Sequence, residues 1–292
     1  MKVKLIDMLQ KTQEQLLNYT VCRLEERGYA RKIIKTKDYV FAQGTIPVLL
    51  VAHLDTVHRE LPEVYYDREK EVMWSPQGIG GDDRCGVYAI LKICEHLKPC
   101  VLFTTDEETG GQGASKFVKE INKKIIKKIN FIIEIDRRGY NEAVFYDCGN
   151  EDFQKMILSY GFDERLGTFS DISILSPAFD IASVNLSAGY FNEHTTNEMI
   201  RFDYLMHTVY NVERILLSKN VNTKYDFQEV ESFYYKYDDY YNFNKKDDTL
   251  RNIIEYDWKD TTDDEWFNYY GEEKPKTHEE LDEFILRYND LK

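Results

Sequence analysis

Apolar residues recur near helical spacing over residues 4–27 (Leu5, Met8, Leu9, Leu16, Leu17, Val21, Leu24), and Gly28 supplies a stop, which predicts a helix there. Two short runs, DYVFA (38–42) and PVLLVA (47–52), predict strands, and residues 63–74 predict a hairpin or edge ribbon. GIGGDDRCG leads into a helical run over 84–97, and a buried strand over 100–105 precedes a glycine-rich turn and a helix of about 112–124. NFIIEI (130–135) predicts a strand ending at Asp136, with AVFYD (143–147) and ASVNLS (182–187) as further strands and a helix over about 202–218. Strands alternating with helices predict an α/β domain with a largely parallel central sheet, whose chemistry would gather at the carboxyl ends of the strands.

From about residue 220 the pattern changes. FYYKYDDYYNFNKKDD and EYDWKDTTDDEWFNYYGEE are acidic and rich in tyrosine, and THEELDEFILRY reads as a helix with Thr277 as N-cap and Glu280 three residues on. The organisation expected is therefore an α/β domain over 1–219 and an acidic, aromatic-rich, partly helical extension over 220–292.

Composition narrows the partners. A net charge of −14 over 292 residues argues against nucleic acid and anionic membranes, because both recruit basic surfaces. No apolar run approaches a membrane span, and MKVKLIDMLQKTQEQ lacks the apolar core of a signal peptide. Cys22, Cys85, Cys94, Cys100 and Cys148 form no CxxC pair and suit reduced thiols, so a cytoplasmic protein is expected and the sequons at Asn18 and Asn185 read as chance matches.

The acids and histidines fall in an ordered set. His53 and Asp55 end a strand, Asp82 and Asp83 precede a helix, and Glu107 and Glu108 end the next strand within TTDEETGG. Asp136 ends another, and His194 lies in the loop NEHTTNE. Each alone has an ordinary explanation: a strand-end hydrogen bond, an N-cap, a solvated turn. Together they could meet at one sheet edge, and imidazole with carboxylate is a ligand mix for zinc, or for cobalt or manganese.

The stretches VAHLDTV, GGDDRCG, TTDEETGGQGA, IEIDRRG and NEHTTNE cover roughly residues 45–200. In that order they resemble the co-catalytic zinc peptidase clan that includes carboxypeptidase-like, tripeptidase-like and leucyl-aminopeptidase-like enzymes. The resemblance implies a three-layer α/β domain of the zinc-exopeptidase type, with a largely parallel mixed sheet and two divalent metal ions, zinc before cobalt or manganese. On it, Asp82 would bridge the two ions, His53 and Asp136 would bind one, and Glu108 and His194 the other. Asp55 would orient His53 from behind. Glu107 would be the general base acting on a hydroxide that bridges the metals.

Departures from the clan's larger members narrow the architecture. About 57 residues separate Asp136 from His194 and about 28 separate His53 from Asp82, too few for the domains that other branches insert there. A lid-less, single-domain aminopeptidase type is the nearest match. Tyr190 is then a candidate for stabilising the oxyanion, Arg137 and Arg138 for holding a substrate carboxylate, and Asp171 for holding a free amine. Asp83 is a rival to Asp82 as the bridge and Glu134 a rival to Asp136 as a ligand. His58, His96, His207 and His278 fall outside the motifs and read as structural or exposed.

Hydrolysis of an amide in short peptides is the function these motifs imply, with deacylation of N-acyl amino acids, or non-catalytic binding on the same scaffold, as alternatives. The substrate expected is a short peptide or N-acyl amino acid, with the oligomeric state left open. There is no HExxH, GxSxG or Walker A loop, and Asp83 stands where a dinucleotide fingerprint starting at Gly78 needs glycine.

Overall fold

The computed structural model describes residues 4–29 and 32–230, with 258, 273–278, 280, 281 and 284 beyond them. Contacts divide the chain into two compact units, Met1–Val230 and Glu231–Lys292.

The first unit is the expected α/β domain. Among the described residues, twelve strands make an eight-stranded sheet in the order β1-β2-β6-β3-β7-β10-β8-β9 and a four-stranded one in the order β11-β12-β5-β4. In the large sheet β3 (Ile46–His53), β6 (Pro99–Thr104), β7 (Phe131–Arg137) and β10 (Ser183–Ser187) run parallel. All of β6 is buried, as expected of a strand covered on both faces. β1 (Ile33–Lys35) and β2 (Tyr39–Ala42) add an antiparallel edge; β8 (Glu142–Val144) and β9 (Asp163–Glu164) complete the other. The region read as a hairpin is β4 (Tyr65–Asp67) and β5 (Val72–Trp74), which joins β11 (Tyr190–Phe191) and β12 (Met199–Arg201) in the small antiparallel sheet.

Two apolar layers flank the large sheet. One is built with α1 (Leu5–Leu9), α2 (Gln13–Glu26), α3 (Gly81–Ile93), α6 (Glu151–Leu158) and α8 (Phe202–Leu217). The other is built with α4 (Gln112–Glu120), α5 (Lys123–Ile126) and α7 (Asp171–Phe179).

The first helix read from the pattern is two helices. The Thr12 side chain accepts from Gln15 N at 3.3 Å and the Gln15 side chain accepts from Thr12 N at 3.1 Å, a capping box that starts α2 afresh. The first unit also runs past residue 219. Tyr225 N donates to the Asn130 carbonyl at 2.9 Å, Ala182 N donates to the Tyr225 carbonyl at 2.8 Å, and the Tyr225 ring packs on Phe131 and Phe153.

In the second unit, residues 278, 280, 281 and 284 are helical. Glu280 N donates to Thr277 Oγ1 at 3.2 Å, which is the N-cap read from sequence, while the Glu280 carboxylate accepts from Lys276 N at 2.7 Å. The stretch FYYKYDDYYNFNKKDD lies outside the described residues.

Candidate metal centre

Strand register sets the site. His53 pairs with Thr104 and Val51 pairs with Glu134, so two residues further on His53 comes level with Asp136. The period of two also puts Val51, His53, Glu134 and Asp136 on one face of their strands. Helix α3 brings Asp82 to this edge by lying close against β7: a Cβ on Gly86 would sit 1.9 Å from the Ile135 carbonyl oxygen, so only glycine allows the approach. The Asp82–Asp83 peptide is cis. His194 arrives on the loop joining β11 to β12, tied back by an ion pair between Arg138 and Glu193 at 3.0 Å.

These elements place the expected ligands in one cluster. His53 Nε2 lies 3.0 Å from Asp82 Oδ1 and 3.4 Å from Asp136 Oδ1. His194 Nε2 lies 3.2 Å from Asp82 Oδ2 and 3.0 Å from Glu108 Oε2. The two oxygens of Asp82 therefore face two different imidazole nitrogens, each with a further carboxylate beside it. Ligand atoms of His53, Asp82 and Glu108 lie within 4.8 Å of one another, as do those of His53, Asp83 and Asp136.

That second grouping makes Asp83 a rival bridge, but its carboxylate is otherwise engaged. Asp83 Oδ2 accepts from His53 N at 3.3 Å and Oδ1 accepts from Gly86 N at 2.8 Å, and its side chain is wholly buried. Burial pushes its pKa well above the carboxylate range, with Asp136 adding to the shift, which favours the neutral form.

Behind the cluster, Asp55 joins two loops. Its carboxylate faces His53 Nδ1 at 3.2 Å and accepts from Glu107 N at 3.1 Å and Glu108 N at 3.0 Å. One acid thus orients the first histidine and fixes the backbone of both glutamates. Asp106 is held apart from them: Gln13 Nε2 donates to its carboxylate at 3.1 Å and Gln13 Oε1 accepts from its backbone N at 3.3 Å. Among the described residues, no protein donor reaches the Glu107 carboxylate.

Charge is concentrated here. Burial pushes Glu107 up to about 9, against His53 and with Asp136, Asp171 and Glu108 adding to the shift. Burial lifts Asp136 to about 7. Hydrogen bonds to Asp82 and Glu108 carry His194 up to about 11, and although burial opposes it, the surrounding carboxylates raise His53 well above its usual range. Asp82 and Asp55 are held low by their hydrogen bonds in spite of burial. The carboxylates call for positive charge, and without metal they draw it from protons on the two histidines.

The remaining candidates separate. Tyr190 is buried, and its hydroxyl is shared between the Asp136 carbonyl at 3.0 Å and carboxylate at 3.1 Å, so it steadies that acid and does not face an open cleft. Arg137 pairs with Glu142 at 2.8 Å and Arg138 with Glu193, leaving neither guanidinium unpaired. Asp171 opens α7, fully buried, with Oδ2 bonded to the Thr104 hydroxyl and Oδ1 without a partner among the described residues; burial raises it to about 6. Glu134, also fully buried, accepts from the Ser170 hydroxyl and from Ile172 N at 3.4 Å, facing α7.

Glu198 was missed by the motif reading. It is 1% exposed and accepts from Asp82 N at 2.9 Å, Gly80 N at 2.9 Å and His58 Nε2 at 2.6 Å. The second glutamate of NEHTTNE was its only signal in the sequence.

A cleft of about 590 Å³ adjoins the cluster, with Asp55 and Glu108 on one wall and Leu9, Val57, Leu61 and Ile79 among its apolar lining. Among the described residues, no helix is long and apolar enough to cross a membrane.

Comparison with known proteins gives a partial family match and shared folds. Residues 35–160 match peptidase family M28, a segment that carries His53, Asp82, Glu107, Glu108 and Asp136 but not His194. The fold is shared with aminopeptidase PepT from Bacillus cereus (13% identity, 73% of this chain and 96% of that one, TM-score 0.57). It is shared also with a tripeptidase from Staphylococcus aureus (15% identity, 73% and 95%, TM-score 0.59). An aminopeptidase from the archaeon Desulfurococcus kamchatkensis aligns similarly (12% identity, 75% and 94%, TM-score 0.56). Curated protein sequences give no match. The family match spans residues 35–160, less than half of the chain, and the likeness to these solved structures is one of fold.

Proposed function

We propose that the chain hydrolyses the amide bond of short peptides, as an amino-, di- or tripeptidase, with two divalent metal ions held by His53, Asp82, Glu108, Asp136 and His194. The observation that carries this reading is the Asp82 carboxylate, whose two oxygens face the Nε2 atoms of His53 and His194 at 3.0 and 3.2 Å. Nitrogen and carboxylate donors of this kind suit zinc. When bound, the ions supply Lewis acidity that polarises the scissile carbonyl and lowers the pKa of water.

This chain's own residues do the rest. Glu107 takes the proton of the attacking water on its carboxylate and delivers it to the leaving amine. Its freedom from protein donors suits that role, and positive charge beside it would reverse the upward shift it shows without metal. Asp55, facing His53 Nδ1 at 3.2 Å, would hold a proton on that nitrogen and leave Nε2 as the one available to a metal. The cleft beside Glu108, lined by both apolar and charged side chains, has room for the side chains of a short peptide.

The test is a substrate screen with Glu107→Gln as control. The wild-type chain should bind two metal ions and cut aminoacyl or short peptide substrates in preference to N-acyl amino acids. Glu107→Gln should keep both ions and lose about 10²–10⁴-fold in turnover. Full activity in that variant would remove Glu107 from the mechanism, and a preference for N-acyl amino acids would make the chain a deacylase.

A further inference from the structure

We propose that Glu198 is a positioning residue for the bridging carboxylate, fixing the backbone of Asp82 so that its two oxygens serve both metal positions, and that His58 in turn fixes Glu198. The inference rests on the two-metal reading above.

Asp82 has non-helical backbone angles (φ −74, ψ 107) at the start of α3, where an N–H has no acceptor within its own helix. Glu198 Oε1 supplies one, and Oε2 takes the Gly80 N–H from the same turn, so a single buried carboxylate holds the chain on both sides of Gly81. The turn has no slack: a Cβ on Gly81 would meet Ile200 at 2.8 Å, Tyr190 at 3.0 Å and Glu198 Oε1 at 3.2 Å.

Glu198 and His194 both belong to the connection between β11 and β12. That one connection therefore grips Asp82 twice, through His194 at its carboxylate and through Glu198 at its backbone. The spacing between the bridging acid and the second histidine is thus set by one short loop. His58 completes the arrangement from the cleft side. Its ring lies so close to Gly78, at a φ of +83, that a Cβ there would fall 2.1 Å from it, while its Nε2 bonds Glu198. His58 also lines the cleft, so the same contact links the cleft wall to the bridge.

The full-length chain is compared with Glu198→Gln and His58→Phe. Bound metal per chain, affinity for each equivalent by chelator competition, the visible spectrum of the cobalt-substituted protein and the melting temperature are recorded. Glutamine can still accept from Asp82 N, but its amide N–H₂ then opposes the Gly80 N–H. Affinity for at least one metal equivalent should fall about 10–100-fold, with altered cobalt bands. His58→Phe keeps a planar, somewhat larger ring near Gly78, removes the contact to Glu198, and should shift affinity and spectrum in the same direction by less.

A folded Glu198→Gln that binds both equivalents at wild-type affinity with an unchanged cobalt spectrum overturns the inference, whatever its melting temperature. If Glu198→Gln does not fold, an unchanged His58→Phe overturns it. A wild-type chain that binds fewer than two ions overturns the two-metal reading and this inference with it, so the two failures are distinguishable.

Discussion

Replacing Asp55 with asparagine tests how the site is assembled, because the change is isosteric and its cost can be worked from three contacts. Asp55 Oδ1 serves His53 Nδ1 at 3.2 Å and Glu107 N at 3.1 Å, while Oδ2 serves Glu108 N at 3.0 Å. Asparagine has one acceptor oxygen. Placed at the Oδ1 position, that oxygen keeps two donors and turns the amide N–H₂ against Glu108 N. Flipped, it opposes two donors and forces His53 to move its proton to Nε2. The first arrangement loses less, so damage should fall on Glu108 and the metal position it shares with His194.

A hydrogen bond to a charged acceptor contributes about 1.5–3 kcal/mol, and the Asp55 side chain is only 12% exposed, so solvent screening reduces this little. At about 1.4 kcal/mol per decade, the weaker metal equivalent should lose about 10–100-fold in affinity. Chelator competition on the variant measures this, and a melt of the metal-free protein gives the stability loss separately. Both equivalents held at wild-type affinity would show that Asp55 does not organise the glutamate loop.

Other perturbations address different parts of the structure. Gly86→Ala puts a methyl 1.9 Å from the Ile135 carbonyl and 2.5 Å from the Asp83 carboxylate, so α3 must shift on β7; a stability loss of about 1–3 kcal/mol or more is expected in a denaturant titration. Chelation should lower the melting temperature more at pH 8 than at pH 6. Without metal, Asp136 at about 7, Glu107 at about 9 and His194 at about 11 all hold protons more tightly folded than unfolded, so stability falls as pH rises through these windows. The depressed acids Asp55 and Asp82 have finished titrating below that range. Equal shifts at the two pH values would contradict this. A chain ending at Val230 should fold and bind metal like the full chain, whereas one ending at residue 219 loses the Tyr225 contacts and should melt several degrees lower.

Much of the candidate site was legible because three of the proposed ligands, His53, Glu108 and Asp136, lie at or just beyond the ends of apolar strands, and the chain order of these with Asp82 and His194 carries the signal. The parallel core was legible for the same reason. What escaped depends on contacts between distant segments. Glu198 reads as a loop acid until β12 pairs with β5 and brings it beneath the glycine turn. The break between α1 and α2 has neither glycine nor proline to mark it, only the Thr12–Gln15 box. Helix α7 was not predicted: ISILSPAF is apolar apart from Ser173 and Ser176 and carries Pro177 inside the helix. Helix α6 did carry a start signal, the Asn150 side chain accepting from Phe153 N at 3.1 Å.

The most direct test of the two-metal reading is a zinc-loaded crystal examined by anomalous diffraction at the zinc edge. Two peaks are expected, one among His53, Asp82 and Asp136 and the other among Asp82, Glu108 and His194, with Glu107 touching neither ion. A single peak, an ion ligated by Glu107, or Asp83 in place of Asp82 between the two would contradict it.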